Sequence, residues 1–162
     1  MKAVLLSLHV VAAIVLIGPI TVAASVFPRY ARRAATPSDG SATTGGDWAV
    51  AAAMHRISRG YAVPALAVPV FGIGVGSAMG VLTQSWVVVS MALTVLAGGL
   101  LVAGVVPGQR RVLSSLAAGP GGSADRVVAA LRRLAMVTGG FSLIWVVVVV
   151  LMIVRPGSTT GV

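Results

Sequence analysis

Cysteine is missing from all 162 residues, which excludes disulfides, thiolate metal sites, iron–sulfur clusters and cysteine nucleophiles together. Acid is nearly missing as well, since there is no glutamate and the three aspartates are Asp39, Asp47 and Asp125. All three stand outside the apolar runs, so a carboxylate relay or an aspartyl-protease pair within a membrane is ruled out. Charged residues of either sign make up 9% of the chain, against roughly a quarter in soluble domains. With 57% hydrophobic side chains and a mean hydropathy of +1.02, such a chain cannot wrap its apolar surface in a polar shell.

What charge there is falls between long uncharged stretches. Residues Ala3 to Pro28, Gly60 to Gln109 and Leu134 to Val154 hold no Lys, Arg, Asp or Glu. Four apolar spans follow, over 3–28, 60–82, 86–107 and 134–154. Each meets or exceeds the roughly 20 residues that a helix needs to cross a hydrocarbon core, and the polar alternation of a β-barrel strand is missing. The expected fold is all-α, a four-helix integral membrane bundle in one transmembrane domain over 1–162. Its location is a cell membrane, crossed several times.

Span 1 has some features of a signal peptide, with Lys2 ahead of an apolar run and the small residues Val22-Ala23-Ala24 near its end. Its run is longer than a signal core, however, and Arg29, Arg32 and Arg33 follow at once. Span 1 is therefore read as part of the mature protein.

The net charge of +9 and pI near 11.9 raise the question of nucleic acid. No basic stripe interleaved with aromatics exists to stack bases, so a nucleic-acid partner is not expected. The cations instead flank the spans. Arg29, Arg32, Arg33, Arg56 and Arg59 lie in the loop 29–59, Arg110, Arg111, Arg126, Arg132 and Arg133 in the loop 108–133, and none lies between Thr83 and Ser85. The positive-inside rule puts both long loops in the cytoplasm and both termini outside, with anionic lipids at the cytoplasmic arginines. Trp86 then reads as an outer interfacial anchor, and Tyr30 and Tyr61 as inner ones.

The stretch Pro37 to Gly46 reads as a flexible linker, after which Asp47 can cap an interfacial helix carrying Val50, Met54 and Ile57 on one face and leading into span 2. Gly119-Pro120-Gly121-Gly122 breaks the second loop, and Ser123 or Asp125 can start a helix that runs on into span 4. The halves echo each other, because Phe27-Pro28 before Arg32-Arg33 resembles Val106-Pro107 before Arg110-Arg111. This outlines two parallel helical-hairpin repeats, related by an axis along the membrane normal.

Span 2 carries the most specific packing signal. Gly72, Gly76 and Gly80 form consecutive GxxxG units on one helical face, and in lipid such faces allow the close backbone approach that holds helices together. The seam serves either another span of the same chain or a homo-oligomer. Pro64 and Pro69 are expected to bend this helix, as Gly18-Pro19 bends span 1.

His9 is the one histidine or charged residue well inside a span, and an intramembrane ionisable group is by default a functional candidate. Met91, five residues into span 3, is expected at a similar depth. An imidazole beside a thioether can bind haem iron or copper. The plainer reading is a histidine that hydrogen-bonds a backbone carbonyl. His55 stands among arginines at the other membrane face, too far away to share a metal with His9. The serines in the spans have no His or Lys base beside them, and Gly72-Ile73-Gly74-Val75-Gly76 follows no strand and so carries no dinucleotide meaning.

The run Leu8-His9-Val10-Val11-Ala12-Ala13, then Gly18-Pro19 and an arginine cluster, resembles the opening of small uncharacterised four-helix membrane proteins of bacteria. These are distantly similar to the copper-resistance D-like and protoporphyrinogen-oxidase-like membrane families, where an early Leu-His on the first helix recurs. The resemblance implies a four-helix bundle, with haem b or copper near His9. This chain departs from the haem-linked relatives in having no lysine in span 3 and none beyond Lys2. With no catalytic constellation present, the expected role is a structural or accessory subunit of a membrane complex rather than an enzyme. The alternative is a haem- or metal-binding redox protein that uses His9.

Overall fold

The computed structural model describes residues 1–36, 43–118 and 124–157, apart from the side chains of residues 43, 44, 124 and 125. The predicted linker lies largely, and the Gly119–Gly122 break wholly, outside these residues. Four helices dominate the described residues: α1 (Lys2–Ala35), α2 (Gly45–Met79), α3 (Ser85–Ala117) and α4 (Arg126–Val154). Each is long and apolar enough to cross a membrane. They pack as an all-α bundle of two antiparallel hairpins, α1 against α2 and α3 against α4.

The helix distortions lie beside prolines, although Pro28 and Pro69, the latter expected to bend α2, stand in regular helix. In α1 a widened π-turn over Ala13–Ile17 lies just ahead of Pro19, and in α3 another over Leu100–Val105 lies just ahead of Pro107. A proline ring crowds the carbonyl four residues back and supplies no N–H, and an extra residue in the turn absorbs both defects. In α2 the chain tightens instead to a 3₁₀ turn over Pro64–Leu66. Helix α4 holds no proline and stays regular from Ala124 to Val154.

The helices extend past the apolar runs. Helical structure leading into α2 begins at Thr43, so Asp47 lies inside it rather than capping it. The expected lead-in helix is present and packs within the bundle, with Ala51 and Ser58 fully buried. Small residues at 51, 52 and 53 let this segment come close to the arginine-bearing end of α1.

Two core clusters follow. Ile20, Ala24, Ala97, Leu101, Val105 and Phe141 pack in the middle of the bundle. Phe27, Ala31, Ala51, Val112, Leu131 and Leu134 draw all four helices together at the arginine-rich end. The opposite end is looser. No residue of α1 between Lys2 and Ile17 is buried, and this stretch packs chiefly on the C-terminal part of α2.

Some buried positions recur between the hairpins at a constant sequence spacing, in a register that does not superimpose Pro28 on Pro107. Ile20, Ala24 and Ala31 in α1 correspond to Leu101, Val105 and Val112 in α3, and all six are buried. At a spacing shorter by one residue, Ala51, Ser58 and Val68 in α2 correspond to Leu131, Thr138 and Val148 in α4, again all buried.

Candidate functional site

His9 sits on α1 facing α2. Its Nδ1 lies 3.0 Å from the Val68 carbonyl oxygen. A carbonyl can only accept, so Nδ1 carries the proton and a neutral ring keeps its acceptor lone pair on Nε2. The ring is seated on Gly72, where an added Cβ would come within 3.0 Å of Cε1. At the corresponding place in the second hairpin stand Ser90 and Val148, both buried, so the imidazole has no counterpart there.

The predicted glycine seam divides into three separate tasks. Gly72 makes room for the His9 ring, and Gly76 for Leu82, whose Cδ2 would lie 2.6 Å from an added Cβ. Gly80 ends the helix in the left-handed region at φ 73°, where the Val81 N–H bonds the Gly76 carbonyl across the turn. A residue with a side chain is strained in that conformation.

A second GxxxG pair does hold two helices together. At Gly104 an added Cβ would meet Val137 Cγ1 at 2.8 Å, and at Gly108 it would meet Leu134 Cδ1 at 2.9 Å. Both glycines on α3 therefore let α4 approach. The signal in the sequence is the same four-residue spacing as in span 2, interrupted by Pro107, and it went unread because it runs across a span boundary.

Met91, the predicted partner of His9, lies on α3 in the other hairpin and is 39% exposed. The ring of His9 meets α2 at Val68 and Gly72. Among the described residues no group of three or more His, Cys, Asp or Glu side chains comes together as a metal site. His9 itself offers one imidazole nitrogen, Nε2. That is fewer than the two or three protein ligands a copper ion takes, whereas haem iron accepts a single proximal histidine.

The polar cluster that sequence reasoning missed lies at the arginine-rich end. Gln109 is fully buried and links α3 to α2: its Nε2 donates to Ser58 Oγ at 3.3 Å, and its Oε1 accepts from His55 Nδ1 at 3.2 Å. Beside an arginine, Gln109 looks in sequence like the solvated edge of span 3. It is buried because α2 continues as helix beneath it. At the opposite end Trp86 is tucked against its own chain. It is 7% exposed, donates from Nε1 to Gln84 Oε1 at 2.6 Å, and is covered by the Arg155 guanidinium 5.7 Å from its ring. Tyr30 carries Arg33 over its ring in the same way, at 5.6 Å.

No protein-family model, curated protein or solved structure matches this chain. The resemblance carried by Leu8-His9 agrees with the four long apolar helices at the level of architecture.

Proposed function

We propose that this chain is a multi-pass protein of the cell membrane that acts as a structural or accessory subunit of a larger membrane complex. One observation carries the reading: the first half of α1 presents apolar side chains and buries none of them, with Val11, Ile14 and Val15 at least half exposed. Helices in lipid associate through packing and hydrogen bonds, and an uncommitted helix face is the surface such association uses. The arginine-rich loops face the cytoplasm beside anionic lipids, and both termini face outward.

The test is native size after gentle detergent extraction. The wild type is expected to run well above the mass of one chain with its surrounding detergent. Ile14→Trp, on an exposed position, should keep the bundle's melting temperature and lose the larger species. A wild type that runs as a single chain refutes the reading.

A second reading is a haem-binding redox protein using His9. It is favoured by the Nδ1 donation to Val68, since histidines that bind metal through Nε2 commonly anchor Nδ1–H on a carbonyl. The visible spectrum of purified protein separates the two. A Soret band that disappears in His9→Ala supports the redox reading, and a featureless spectrum of wild type from haem-replete cells removes it.

A further inference from the structure

Hydroxyls within membrane helices can turn back onto their own backbone, and two in this chain do so. Thr21 donates to the Ile17 carbonyl at 3.0 Å, and Thr94 to the Ser90 carbonyl at 2.8 Å. On α4 the hydroxyls of Thr138 and Ser142 make no such bond. Both oxygens, and Nε1 of Trp145, are shut off from solvent and have no hydrogen-bond partner among the described residues. Thr138 is 4% exposed. The return to the backbone belongs to short hydroxyl side chains, and the indole of Trp145 lacks it.

These three groups share one face of α4. They follow at steps of four and three residues, which rise roughly 6 Å and 4.5 Å along the helix. One water bonded to two groups at about 2.8 Å each spans up to roughly 5.6 Å, close to those steps. The face looks into the core, because Trp145 packs against the cluster of Ile20, Ala24, Ala97, Leu101, Val105 and Phe141.

That core also holds an acceptor short of a donor. Ala24 is fully buried, and the residue four places on is Pro28, which has no N–H to give its carbonyl. Donors on α4 and a carbonyl on α1 therefore lie in one apolar region. No ionisable side chain belongs to the cluster or packs against it except Tyr61, so an ion there would be unpaired, whereas water both donates and accepts. Ordered water is one of the means by which membrane helices satisfy polar groups that proline releases.

We infer that α4 binds water inside the bundle, held by Thr138, Ser142 and Trp145. The site depends neither on the orientation of the chain in the membrane nor on its assembly with a partner.

The test is nuclear magnetic resonance of the full chain in detergent, with ¹⁵N-labelled tryptophan. The chain has three tryptophans, so there are three indole signals, and Trp145→Phe identifies the one that matters. The Trp145 indole proton should resonate downfield, as that of Trp86 does through its bond to Gln84, and should show a cross-peak to water. The pair Thr138→Val and Ser142→Ala should remove the cross-peak, while Ser115→Ala, whose hydroxyl bonds the Arg111 carbonyl, should leave it unchanged. Thr138→Val alone keeps the shape of the side chain and should lower the melting temperature by about 2–4 °C, the scale of one hydrogen bond in a chain of this size. A dry, unpartnered hydroxyl predicts the opposite sign. A wild-type Trp145 signal without a water cross-peak overturns the inference, as does a cross-peak that survives in the double variant. So does a Thr138→Val protein that melts at or above the wild type.

Discussion

Replacing Gln109 with methionine keeps the length of the side chain and removes its amide. Two hydrogen bonds disappear, to Ser58 at 3.3 Å and from His55 at 3.2 Å, and both are long. Side-chain hydrogen bonds within membrane bundles average about 0.6 kcal/mol, with a maximum near 1.7. Two long ones should therefore be worth about 1 kcal/mol together. Ser58 is fully buried and can turn its hydroxyl to a carbonyl of its own helix, which keeps the loss near that figure. On the scale of a chain of this size, about 1 kcal/mol lowers the melting temperature by roughly 2–4 °C. The assay is a double-mutant cycle by thermal unfolding in detergent, with Gln109→Met, Ser58→Ala and the pair. The effects should be sub-additive, with a coupling of about 0.5 kcal/mol. Strict additivity, or a Gln109→Met protein as stable as the wild type, refutes the claim that this amide ties α3 to α2.

The remaining predictions concern glycines and orientation. Gly104→Ala should lower stability by about 1–3 kcal/mol because its Cβ meets Val137 Cγ1 at 2.8 Å, whereas Gly98→Ala, with nothing within 4 Å, should be neutral or stabilising; equal melting temperatures would remove the seam between α3 and α4. Gly72→Leu should drive the His9 ring off Val68, read as a changed imidazole ¹⁵N shift, while Gly74→Leu should leave that shift unchanged; an unmoved His9 signal in Gly72→Leu would contradict the seat described above. Cysteine introduced at Ser85 should react with an impermeant thiol reagent on intact cells and one at Ser115 should not; labelling of the latter alone reverses the proposed orientation.

Sequence alone determined the architecture, because hydrocarbon imposes it. A run such as Leu134 to Val154 with no charge can satisfy its backbone in lipid only as helix, so helix number and type follow from composition. The breaks were legible in part: Pro19 and Pro64 stand at or just after a distorted turn as expected, whereas Pro69 lies in regular helix and the distortion ahead of Pro107 was not foreseen.

Which polar groups are buried, and against what, was decided only by tertiary structure. Gln109 looks solvated beside Arg110 until α2 is found to continue as helix past the apolar run and cover it. Gly72, Gly76 and Gly80 share one spacing in sequence, yet a histidine, a loop leucine and a left-handed turn meet them in the fold. His9 and Met91 were matched by depth, which spacing along each helix gives, and stand in different hairpins, which only the packing of one helix on another can assign. Periodicity along a chain fixes the face a residue occupies on its own helix, while the partner of that face is set by long-range contacts that no single segment encodes.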